Sequence, residues 1–153
     1  MRSIAAIGVG MLLAFAIVLL IVFGVFAPVL SELFQVQPSR ASLGVFAPLL
    51  LLVCAVAFYF GGMAAAYKAP SRRQLHGLLV APTALVVSTA INVAAGRGPF
   101  PSYDTVGIFL LAVLFFAVSL AASYVGARRG EALFIHNDRV MRRHEAAKGR
   151  RSL

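Results

Sequence analysis

The sequence predicts an all-α membrane protein: a four-transmembrane-helix bundle followed by a cytoplasmic amphipathic C-terminal helix. Three observations predict it. Of the 153 residues, 61% are hydrophobic and 12% are charged, against roughly 45–50% and 25% in soluble domains. The apolar residues fall into four long runs, each near the ~20 residues that cross a hydrocarbon core. Twelve of the 14 Lys and Arg flank these runs on one side, which requires an even number of crossings. Residues 1–127 form the transmembrane domain, with helices at about 4–28, 48–67, 75–95 and 105–127, and residues 128–153 form a basic tail.

The first run, Ile4 to Pro28, carries no charge. It exceeds the ~7–15 apolar residues of a signal peptide, so it reads as a retained helix, with Pro28 helping to end it. Residues 29–47 are polar enough for a loop in water. Pro48 fits the first turn of the second helix, where a missing N–H costs nothing; an earlier start near Ser42, with a bend at Pro48, is the alternative. Gly24-Val-Phe-Ala-Pro-Val-Leu30 nearly repeats as Gly44-Val-Phe-Ala-Pro-Leu-Leu50, an echo that apolar sequence produces by chance.

A short basic loop from Lys68 to Gln74 leads to the third helix. This is the most polar span, with Pro82, Thr83, Ser88, Thr89 and Asn92. Pro82 frees a carbonyl one turn earlier, and in lipid that group needs a partner, so the helix is expected to face protein over much of its circumference. Ser88 and Asn92, four apart, share a face and form a candidate polar or packing site. The Gly- and Pro-rich stretch from Gly96 to Asp104 reads as an ordered turn, with Asp104 capping the fourth helix. Beyond it, Leu133, Phe134, Asn137, Val140, Met141 and His144 recur at helical spacing. Arg139, Arg143 and Lys148 take the other face, which suits a helix lying on lipid headgroups or docking to a protein. Gly130 is either a hinge before this helix or a point the fourth helix runs through.

Charge sets the orientation. Of the 14 Lys and Arg, only Arg40 and Arg97 fall on one side; the rest mark the cytoplasmic face, with both termini. The net charge of +9 is therefore assigned to anionic lipid headgroups, not nucleic acid. Arg72, Arg73, His76, Arg139, Arg142 and Arg143 are the candidate headgroup contacts. Small-residue rows at four-residue spacing (Ala57, Gly61 and Ala65; Gly62 and Ala66; Ala117 and Ala121; Ser119 and Ser123; Ala122 and Gly126) permit close helix approach.

Several chemistries lack their residues. No Asp, Glu, Lys or Arg lies within the four spans, and His76, His136 and His144 sit at or beyond the basic edge. Proton relays and ion coupling ordinarily need an ionisable group at depth, and haem needs intramembrane ligands. Ser102, Tyr103 and Asp104 have no histidine or lysine beside them. His136, Asp138 and His144 do not share one helical face, so neither a metal nor a cofactor is expected. The single cysteine, Cys54, lies in an apolar run and reads as a packing residue. The expected role is non-enzymatic: an accessory or scaffold subunit, with a protein partner or a second copy. The alternative is a small oligomeric transporter or channel built around the third helix.

From Gly61 to Val80, the segments Gly61-Gly62-Met-Ala-Ala-Ala-Tyr, Arg72-Arg73 and Leu75-His76-Gly77-Leu-Leu-Val resemble a pattern in small bacterial four-span membrane proteins. In those proteins a double glycine closes the second helix and Leu-His-Gly opens the third. Tyr67-Lys68 and Pro70 depart from the commoner turn. The resemblance implies the four-span architecture and a bacterial inner membrane, and carries no activity. It directs attention to Gly61, Gly62 and Gly77 as candidate packing residues, with His76 at the interface.

Overall fold

A computed structural model of the chain describes residues 2–26, 43–96 and 106–151. All elements among them are helical. Four helical segments, Ser3–Gly24, Ala47–Lys68, Arg73–Ala94 and Phe109–Ala146, are long and apolar enough to cross a membrane. Pro28, residues 29–42 of the first expected loop and the turn from Arg97 to Asp104 lie outside the described residues; residues 43–47, expected in that loop, are helical instead.

Helix α1, Arg2–Ile21, continues into a π-helical turn, Val22–Phe26, a local widening of the hydrogen-bond ladder. Helix α2, Leu43–Lys68, begins before Pro48 and carries it inside. The earlier start weighed from sequence is therefore the observed one. Pro48 lies so near the start that it costs one backbone bond, and it is exposed.

The third span is interrupted. Helix α3, Arg73–Leu78, and helix α4, Val80–Ala94, meet at Leu79. Leu78 is four residues before Pro82, where the proline ring collides with the preceding carbonyl and removes its bond. Bonds on either side of the gap, Leu79 N–H to Leu75 O and Thr83 N–H to Leu79 O, both 3.0 Å, keep the two pieces in line.

The tail corrects the sequence reading. Helix α5, Val106–Arg151, is one helix of 46 residues that runs through Gly130 without a break. No separate amphipathic C-terminal helix follows it. At 1.5 Å per residue it is about 70 Å long, more than twice the ~30 Å of a hydrocarbon core. The physical reason is at Gly130, which is buried. A Cβ placed there would strike the Met63 carbonyl oxygen. Gly130 is a place of close helix approach, and a helix held by its neighbour does not hinge there.

α2 is the central helix, packed between α1 and α5, and α3 wedges between α2 and α5. The buried residues run from the basic end to the middle of the bundle: Ala6 and Ala14 on α1, Val53, Ala57, Ala65 and Ala66 on α2, Val80, Ala81 and Ala84 on α4, and Ser119, Ser123 and Ala127 on α5. Toward the opposite end the described residues are more exposed. On α4, Val86 is 66% and Ile91 61% exposed. The expectation that the third span faces protein over much of its circumference therefore holds only for its basic-end part, where His76, Gly77, Val80, Ala81 and Ala84 are buried. Its first turns rest on small neighbours, and its outer turns stand away from the other described helices.

Candidate functional site

At the basic end, the helices meet through backbone. A Cβ built on Gly61 would stand 2.6 Å from the Gly10 carbonyl oxygen and 3.0 Å from the Ala14 Cβ. One built on Gly62 would collide with Ser123, and one on Gly77 would collide with Ala127 and stand 2.6 Å from the Gly62 carbonyl oxygen. Gly126 and Gly130, four apart on α5, press on Tyr59 and Met63 of α2. Lipid gives apolar side chains no reason to seek one another, so association relies on such close packing and on interhelical hydrogen bonds. One bond of that kind lies inside this layer. The hydroxyl of Ser123, fully buried, donates to the Gly77 carbonyl at 2.7 Å, one residue from the carbonyl that Pro82 frees.

Above this layer sits a polar cap, built on the turn between α2 and α3. Arg72 adopts a left-handed backbone conformation, φ 43°, unusual for a residue with a Cβ. It turns the chain so that its carbonyl accepts from Leu75 N–H at 3.0 Å and His76 N–H at 3.2 Å. The His76 ring Nδ1 lies 3.1 Å from the same oxygen. A carbonyl can only accept, which places the proton on Nδ1. The imidazole is thus buried, with its Nδ1 held within its own turn.

Arg73 ties three elements together. Its Nη1 donates to the carbonyls of Tyr67 at 2.9 Å and Ala66 at 3.3 Å. These belong to the last turn of α2, where carbonyls have no helical partner and a cation is favoured. The guanidinium carbon lies 3.3 Å from the centre of the Phe134 ring on α5, a cation–π contact. Phe134 meets Tyr67 edge-on at 6.0 Å. Asn137 donates to the Tyr67 hydroxyl at 3.1 Å, and Gln74 to Glu131 at 2.6 Å. The cap thereby holds the first turns of α5 beyond Gly130 against the α2–α3 turn.

Among the sequence-expected residues, Gly61, Gly62 and Gly77 come together in the packing layer. Ser88 is exposed on α4 and Asn92 is half-buried, apart from that layer. Of the expected headgroup contacts, Arg73 and His76 are engaged inside the protein. Arg72, Arg139 and Arg143 are exposed, and Arg142 pairs with Asp138 at 2.9 Å. Sequence reasoning missed Gly10 and Gly130. Gly10 lies midway in the row Ala6, Gly10, Ala14, and Gly126 with Gly130 is a glycine pair at four-residue spacing, both legible signals. It also missed the joint Arg73–Phe134–Tyr67–Asn137 cap, for which no local spacing exists.

Chemically, the arrangement offers cations, carbonyl acceptors and close packing. The Ser123 hydroxyl is already bonded to backbone, and among the described residues no group of three or more His, Cys, Asp or Glu side chains is placed to hold a metal ion. Comparison with protein-family models, curated proteins and solved structures gives no match.

Proposed function

We propose that this protein is a non-enzymatic subunit of the bacterial inner membrane that works by helix packing, as an accessory or scaffold component of a membrane complex. The basic end faces the cytoplasm and its anionic lipids, following the distribution of Lys and Arg. The observation that carries the proposal is the contrast between the two ends of the bundle. The basic end is closed by glycine contacts and the Arg73 cap, while the other half of α4 presents Ser88 exposed and Asn92 half-buried among large exposed apolar residues. Hydroxyl and amide groups within a span gain from a polar partner on another helix, and a subunit that docks there supplies one.

The test is gentle extraction from native membranes followed by mass spectrometry of the intact assembly. A stoichiometric partner is expected. A lone monomer with nothing bound sinks the proposal.

A second reading rests on the same row of α4. Copies that assemble around Ser88 and Asn92 form a polar-lined passage for a small solute. Reconstitution into liposomes separates the two: a channel shows flux in the wild type that Asn92→Leu abolishes, and a scaffold shows none.

A further inference from the structure

We infer that the cleft between the start of α1 and the α2–α3 turn binds one anionic phospholipid, its phosphate at Lys68 and Arg73. The cleft has a volume of about 450 Å³, within the roughly 300–1,000 Å³ of small-molecule sites. Its two halves differ in chemistry. Ala5, Ala6 and Val9 of α1 form an apolar wall, and Lys68 and Arg73 form a cationic rim beside Phe134. The small alanines are what leave the space.

The depth matches a phospholipid. Ala5 to Val9 begin one turn inside the first residues of α1, roughly 5–10 Å along the helix at 1.5 Å per residue. An acyl chain leaving a headgroup at the edge of the span passes this wall. Lys68 is the last residue of α2 and is exposed. Arg73 uses Nη1 for the two carbonyls of α2, which leaves its Nη2 and Nε donors without a partner among the described residues. A guanidinium fork and an ammonium lining one cleft suit phosphate oxygens. Charge complementarity selects an anionic lipid over a zwitterionic one, because no carboxylate lines the cleft.

This deepens the headgroup contact placed at the cytoplasmic face above and narrows it to one lipid and two side chains. Arg73 also holds the fold, so the test uses Lys68 and Ala5, both exposed. Full-length protein in detergent is stripped of lipid, then titrated with phosphatidylglycerol or phosphatidylcholine of matched chains and read by native mass spectrometry. One tightly held phosphatidylglycerol is expected. Lys68→Gln weakens it about fivefold, the worth of one cation near an anionic surface. Ala5→Phe fills the apolar half without altering charge and weakens it at least as much. Arg128→Gln with Arg129→Gln, both exposed and outside the cleft, leaves it unchanged.

Equal retention of the two lipids overturns the site, as does loss through Arg128 and Arg129 alone. Displacement by millimolar inorganic phosphate reduces it to an anion site and overturns the lipid. Labelling of Ser71→Cys from either side of sealed vesicles checks the orientation separately. If label reaches it only from the outside, the topology fails whatever the lipid titration shows.

Discussion

Gly62 and Gly8 are both helical glycines, yet they meet opposite surroundings. A Cβ on Gly62 runs into the backbone of Ser123, while one on Gly8 has nothing within 4 Å. Gly62→Ala is therefore expected to lower stability by about 1–3 kcal/mol, the usual cost of overpacking a tight contact. Gly8→Ala is expected to be neutral, or to gain up to about 1 kcal/mol of helix propensity. Thermal unfolding in detergent reads both, and equal behaviour of the two variants contradicts the glycine-packed layer. At Arg73 the decisive property is shape. Arg73→Lys keeps the charge but loses the planar group that stacks on Phe134 and reaches two carbonyls. It is expected to fail to rescue the lowered thermal midpoint of Arg73→Ala; full rescue by lysine would show that charge alone matters there.

At the scale of elements, α5 is the part whose reading changed most. A glycine at the membrane edge followed by an amphipathic pattern reads as a hinge and a surface helix. The observed helix passes straight through, because Gly130 lets α5 touch Met63 and the cap anchors Phe134 and Asn137 just beyond. Spin labels at Val125 and Glu145, with Cys54→Ser as background, are expected to lie about 30 Å apart between backbones, with one narrow distribution. A broad or much shorter distribution in the pulsed distance measurement would restore the hinge. The third span behaves in the reverse way. Its proline was legible, and the break at Leu79 lies where the lost bond demands it.

Among the described residues one end of the bundle is tightly packed and the other more exposed, and this asymmetry predicts how variants divide. Residues of the glycine layer are expected to govern the thermal midpoint of the protomer. Asn92→Leu, outside that layer, is expected to leave the midpoint within about 0.5 kcal/mol, as substitutions away from packed features do, while weakening association with a partner or second copy. Thermal unfolding and native mass on the same sample check both halves of the statement. A change in midpoint with intact assembly would place Asn92 in the fold and not at an interface.

The helical class and the four segments long and apolar enough to cross a membrane were legible in the sequence, because hydrophobic length and the lack of charge are local properties that lipid reads directly. The sequence also marked Gly61, Gly62 and Gly77, since small residues at fixed spacing carry packing information within one helix. Only the tertiary structure decided which backbones those glycines meet, that Ser123 bonds to Gly77, and that Arg73 stacks on Phe134 far along the chain. It alone decided that α5 does not break and that the polar face of α4 stands open. These outcomes depend on contacts between distant residues, whose energies have no signature in the spacing of either partner alone.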